Sequence, residues 1–195
     1  MKEKFSKQYW NQHYLDERLG WDIGHVSTPL KAYFDQLQNK ELRILVPGAG
    51  SAWEVEYLFK QGFRNTYLLD FAEQSVAAFK KRCPQFPDDH IILDDFFSHR
   101  GEYDLLVEQT FFSSIPPRRR IEYAEKVSQL LRKGGKLVGL LFNHRFDFEG
   151  PPYGGTEDEY SSIFAQYFKF ESFHLAYNSI KPRQQRELFL LLRKT

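Results

Sequence analysis

Ile44-Leu45-Val46-Pro47-Gly48-Ala49-Gly50 reads as a short apolar strand running straight into a glycine turn. Residues 43–46 carry the strand, and residues 52–61 follow as a helix that Gly62 closes with a left-handed cap. Downstream the same unit recurs. Residues 66–69 form a strand ending at Asp70, and residues 73–82 a helix that stops before Pro84. Residues 91–93 are a third strand and residues 103–107 a fourth. A long amphipathic helix covers residues 118–131 and is closed by Gly134-Gly135. Residues 136–142, apolar on both faces, suit a central parallel strand. This alternation predicts an α/β fold, an open doubly wound sheet whose strand ends share one ligand-binding edge. Residues 168–175 and 187–193 are strand-like with no clear helix between them, which fits an antiparallel hairpin at the sheet edge.

The turn itself carries chemistry. Glycines at 48 and 50 let the backbone approach a ligand closely. Asp70 lies twenty residues beyond Gly50 at the end of the second strand, where a carboxylate can accept from both hydroxyls of a ribose. Trp53 stands where the third glycine of a dinucleotide fingerprint would be, which disfavours NAD and FAD. A ribose and adenine without phosphates, as in S-adenosylmethionine, needs the turn and the acid but less of the anion-binding helix start. Asp95-Phe96 falls on the same edge, with an acid for an adenine amino group and a ring to stack on it. At least one of Phe96 and Phe97 is expected in the core, as are the aromatics at 111–112 and 164–170.

Composition narrows the class. The chain has 195 residues, the size of a single domain spanning 1–195, with residues 1–40 as a helical arm; Phe5, Tyr9, Trp10 and Tyr14 are spaced for a short amphipathic helix, and Pro29 opens another over 29–37. Lys and Arg total 27 against 26 for Asp and Glu, without the basic excess of a nucleic-acid binder, and no apolar run spans a bilayer. The expected partner is a small-molecule acceptor, with neither nucleic acid nor membrane, and a monomer. Met1-Lys2-Glu3-Lys4 lacks the apolar stretch of a signal peptide, and the single cysteine, Cys83, permits no internal disulfide, so a cytoplasmic setting is expected. The histidines show no metal spacing, and Cys83 reads as a bystander. Arg118 and Arg119 read as a solvated helix start, and His144 and Arg145 as a polar loop.

Several segments together resemble the thiopurine S-methyltransferase family, including its thiol and halide methyltransferase branch. They are Trp10 with Trp21-Asp22-Ile23-Gly24; Val46-Pro47-Gly48-Ala49-Gly50; Asp94-Asp95-Phe96-Phe97; Tyr103-Asp104 through Glu108-Gln109-Thr110-Phe111-Phe112; Ile115-Pro116-Pro117 with Arg120 and Tyr123-Ala124; Gly150-Pro151-Pro152-Tyr153; and Ile180-Lys181-Pro182-Arg183. Their order and spacing hold from about Trp10 to Arg193, and the combination is what is specific. The resemblance implies a class I methyltransferase fold, a Rossmann-like three-layer α/β/α with seven mostly parallel strands and the last antiparallel. It implies S-adenosyl-L-methionine as donor, S-adenosyl-L-homocysteine as product, and no metal.

The resemblance also assigns places. Trp10, Tyr14 and Trp21 would cover the donor, Gly48 and Gly50 line its methionine part, and Asp70 with Phe71 beside it hold the ribose. Asp95 and Phe96 would meet the adenine, and Glu108 would sit near the methionine end. Arg120 and Arg183 would stand close to the acceptor, with Tyr153 as its wall. Ala49, Trp53 and Gln109 depart from the family pattern, and they bear on the acceptor rather than the fold. A soft anionic nucleophile needs alignment more than a base, so no residue is assigned acid–base work. Transfer to oxygen or nitrogen, with Glu108 or Tyr153 as base, and donor binding without turnover are the alternatives.

Overall fold

A computed structural model describes residues 6–195. Phe5, counted above in the first amphipathic helix, lies outside the described residues. The elements in chain order are α1 (Lys7–Leu15), α2 (Thr28–Phe34), β1 (Ile44–Pro47), α3 (Trp53–Lys60), β2 (Thr66–Asp70), α4 (Glu73–Arg82), β3 (Ile91–Leu93), β4 (Tyr103–Gln109), α5 (Phe111–Ser114), α6 (Arg120–Leu130), β5 (Leu131–Phe142), α7 (Glu157–Phe164), β6 (Phe168–Leu175) and β7 (Glu187–Lys194). The strands form one seven-stranded sheet in the order β3-β2-β1-β4-β5-β7-β6. β1 to β5 pair in parallel; β7 runs antiparallel between β5 and β6. This is the class I methyltransferase topology, and the C-terminal hairpin is its antiparallel end.

Period-two alternation decides which helices cover which face. Ile44 and Val46 of β1, Leu105 and Val107 of β4, and Val138 and Leu140 of β5 share a core with Leu30 and Phe34 of α2, Val55 and Leu58 of α3, and Phe79 of α4. Leu45, Leu106, Leu137 and Leu141 point the other way, with Leu188, Leu190 and Leu192 of β7. They meet Tyr123 and Val127 of α6 and Tyr160 and Phe164 of α7. Both faces are apolar because both are covered, as the sequence of the fifth strand suggested.

Three boundaries differ from the sequence reading. The expected helix over 118–131 divides into a 3-10 turn, Pro117–Arg119, whose Arg119 N–H donates to the Pro116 carbonyl at 2.8 Å, followed by α6. β5 begins at Leu131 rather than after the glycines, since Leu131 pairs with Tyr103 before a bulge shifts the register to Leu105–Lys136. α7 was not expected. Thr156 and Glu159 cap its start reciprocally, a Thr-x-x-Glu signal that was readable in the sequence.

Candidate functional site

The turn after β1 is built around Asp70. The N–H groups of Gly50 and Ala72 each donate to this carboxylate at 2.9 Å, one to each oxygen. Ser75 Oγ donates to the Gly50 carbonyl at 2.7 Å. Burial raises the Asp70 pKa, and the N–H groups of Ala72, Gly50 and Phe71 work against that rise. Gly48 and Gly50 both have φ +55°, the left-handed region. A Cβ on Gly48 would overlap the Phe111 ring, and one on Gly50 would lie 3.0 Å from the Tyr14 hydroxyl. The glycines are therefore required both by conformation and by what lies over them.

The arm closes over this turn. Trp10 and Tyr14 of α1 make edge contacts with Trp21, at 5.3 and 6.0 Å between ring centroids. The Tyr14 phenol is pushed well above its ordinary value, by burial first and then by Asp70. Asp22 is the hub of the following loop, a residue not singled out from the sequence. It accepts from the Gly24 N–H and the Trp53 indole N–H, both at 2.7 Å, and from the Ser51 hydroxyl. The Asp-x-Gly pattern of residues 22–24 was the available signal, since Asp commonly accepts from the backbone two residues on. Trp53, which departs from a dinucleotide fingerprint, thus helps tie the arm to α3, as do Glu54, which accepts from the Ser27 N–H at 3.0 Å, and Tyr57, which donates to Asp35.

A cavity of about 900 Å³ lies along the C-terminal edge of the parallel strands. Trp10, Tyr14, Trp21, Gly48, Gly50, Asp70, Phe71, Asp95, Phe96, Tyr153 and Arg183 all line it. Eleven of the thirteen residues expected at a site are therefore brought to one space. Of the two phenylalanines after β3, Phe96 goes into the core against Phe111 and Tyr123, while Phe97 is half-buried beneath the Arg119 guanidinium at 3.7 Å. Asp95 already accepts the Phe97 N–H at 2.7 Å through one oxygen.

Two expectations are corrected. Glu108 does not line the cavity. It is 1 % exposed and accepts from Phe112 N–H at 2.8 Å and Tyr123 Oη at 2.6 Å. The Cβ of Glu108 packs on Gly139, so the side chain projects from β4 under α5 instead of toward the strand end. Burial raises its pKa to about 7 despite those donors. Arg120 also lies off this cavity, 4 % exposed, behind the loop it supports. It donates to the carbonyls of Tyr153 (2.9 Å) and Gly154 (3.1 Å), with its guanidinium over the Phe112 ring.

Arg183 reaches the cavity but is engaged by protein. It donates to the Trp21 carbonyl at 2.7 Å and to Glu187 at 3.2 Å. Arg118, exposed as expected, Arg119, and His144 of the loop after β5 also line the cavity, as does Arg186. The Asn143 N–H donation to the Arg186 carbonyl at 2.8 Å brings the last two together.

With the geometry described, comparison with known proteins is informative. Residues 5–190 match the model of the thiopurine S-methyltransferase (TPMT) family. "Probable thiol methyltransferase 2" of Arabidopsis thaliana is 27% identical over 186 residues, covering 91% of this chain and 81% of the relative. "Thiocyanate methyltransferase 1" of the same plant is 28% identical over 150 residues, covering 74% and 65%. Among solved structures, the 1,6-didemethyltoxoflavin-N1-methyltransferase of Burkholderia thailandensis, crystallised with S-adenosylhomocysteine, superposes with a TM-score of 0.80 at 18% identity, over 97% of this chain and 87% of that one. That likeness speaks to the fold, and the family model speaks to descent. Fold, cavity and family match agree: this chain is a member of the thiopurine S-methyltransferase family.

Proposed function

We propose that the protein transfers a methyl group from S-adenosylmethionine to a small soft nucleophile: a thiol, bisulfide, thiocyanate, halide or thiopurine-like acceptor. The observation that carries this reading is the arrangement around Asp70: a glycine cradle sized against Phe111 and Tyr14, a carboxylate at the end of β2, and an aromatic arm over both. These residues suit the donor's parts. Asp70, with Phe71 beside it, would hold the ribose; Asp95 and Phe96 would border the adenine; and Gly48 and Gly50 would lie along the methionine chain. Trp10, Tyr14 and Trp21, within the arm of residues 1–40, would cover the whole.

Bound there, the sulfonium supplies an activated methyl group. The chain's own contribution is alignment and exclusion of water. An anionic acceptor and a cationic donor become two uncharged products, so no proton has to move during transfer. Transfer to oxygen or nitrogen would need a base near the methyl. Glu108 is enclosed with both oxygens engaged, and burial pushes the Tyr153 phenol up, away from acting as a base at neutral pH. Arg120 and Tyr153 would set the acceptor wall together, the first by holding the backbone of the second.

The test is methyl transfer from labelled donor to bisulfide, thiocyanate, iodide, aromatic thiols and thiopurines, set against phenols and amines. Turnover confined to the soft acceptors is expected. Absence of donor and product binding by calorimetry at millimolar concentration would refute the reading.

A further inference from the structure

The sheet order divides the cavity electrostatically. The ends of β1, β2 and β3 and the loops after them bring Gly48, Asp70, Asp94 and Asp95 to one half, with Asp22 on the arm above and Arg18, paired with Asp16, beside it. β4, β5 and the segment before β7 bring Arg118, Arg119, Arg183 and Arg186 to the other half, where Glu149 is the facing carboxylate. The two walls of this basic half meet where the Gly154 backbone abuts the His144 carbonyl.

Two of these four arginines are neutralised within the protein. Arg119 forms a two-point pair with Glu122 at 2.7 and 2.9 Å, and Arg183 is paired with Glu187. Arg186 has a different partner, His144 Nε2, at 2.7 Å. A guanidinium only donates, so that nitrogen accepts and the imidazole is neutral. The charge of Arg186 is therefore undiminished. Burial and Arg186 itself both lower the His144 pKa, which keeps the ring in that state at neutral pH. Arg118 is exposed, next to Tyr153, and carries no hydrogen bond or ion pair to a described residue.

We infer that Arg118 and Arg186 receive the acceptor's negative charge, the task that Arg120 and Arg183 were expected to perform, and so select anionic acceptors over uncharged ones. The inference rests on the methyltransferase reading. Its physical consequence concerns turnover: methylation removes the charge that drew the acceptor in, so the product loses its hold on both arginines. Because both side chains meet water, the attraction is screened by salt.

The test compares an anionic acceptor with its uncharged methylated product. Thiophenolate is the anionic acceptor, and thioanisole, its uncharged methylated counterpart, serves as an inhibitor; thiocyanate and iodide are further anionic probes. Arg118→Gln and Arg186→Gln are each expected to raise KM for the anions about tenfold, the loss typical of one charge-assisted hydrogen bond. Thioanisole inhibition and the calorimetric affinity for S-adenosylhomocysteine should stay unchanged. Arg118→Lys and Arg186→Lys should recover much of the loss, and the salt dependence of the anion KM should flatten in the Gln variants. Equal losses for thiophenolate and thioanisole, no loss at all, or a wild type that binds S-adenosylhomocysteine yet turns over no anionic probe would each overturn the inference. A wild type that binds neither donor nor product would instead overturn the methyltransferase reading.

Discussion

At the scale of single residues, Glu108 separates sequence position from chemical role. Its place after the fourth strand and its acid group suggested a site residue. In the fold it is a buried tie between β4, the start of α5 and Tyr123 of α6. Its folded pKa of about 7 lies above the ordinary 4.5, so the folded state binds the proton more tightly than the unfolded chain. The associated stability is present below about pH 4.5 and is lost as pH rises through 7. The shift corresponds to roughly 3 kcal/mol. Glu108→Gln keeps the shape without the titration. Urea unfolding at pH 5 and pH 8 should therefore show a smaller loss of stability across that range in the variant than in the wild type. Parallel profiles would show that burial of Glu108 is not what shapes the pH dependence. Arg120 is the second such case: a guanidinium legible as a substrate contact proves to hold two carbonyls of a loop.

At the scale of elements, α1 is the part of the fold with least structural and most functional content. None of its residues is fully buried, although the Tyr14 hydroxyl is enclosed. It reaches α4 through exposed links, the Lys7–Glu73 ion pair and the Asn11–Glu73 hydrogen bond at 2.7 Å, of a kind worth under about 1 kcal/mol each. Its aromatic residues face the cavity instead. Removing residues 1–19 should accordingly leave stability to denaturant within about 1 kcal/mol of the full chain while weakening S-adenosylhomocysteine binding at least tenfold by calorimetry. A truncated protein that binds as tightly as the full chain would show that the arm is not a cover. The pattern of rings at 9, 10 and 14 was enough to expect a helix, but not to say that Trp21 and Asp22 would fasten it across the glycine turn.

At the scale of the molecule, the cavity lies where the sheet needs a ligand. It spans the ends of β1 to β5, and the half around Asp70 is formed by the loops that follow β1, β2 and β3. A product that fills that half should stabilise the whole domain by mass action, by about 2.7 kcal/mol at a hundredfold excess over its Kd. For a chain of this length that corresponds to a rise in Tm of roughly 5–10 °C. Differential scanning with S-adenosylhomocysteine checks this, and an unchanged Tm at saturating product would mean that ligand and fold are not coupled.

What the sequence determined by itself was the part of the protein that rests on local patterns. Strand and helix alternation follows from the period of apolar residues, the turn from its glycines, and the donor half from an acid at the end of the second strand. Family membership was legible because several short motifs recur in order. The tertiary structure alone decided how the arginines around the cavity are engaged. There the choice lies between arginines two residues apart, Arg118 and Arg120, and three apart, Arg183 and Arg186. The carbonyls of Tyr153 and Gly154 engage Arg120, that of Trp21 engages Arg183, and His144 engages Arg186. Those partners lie between 33 and 162 residues from the arginines they meet, so no local pattern could have ranked them.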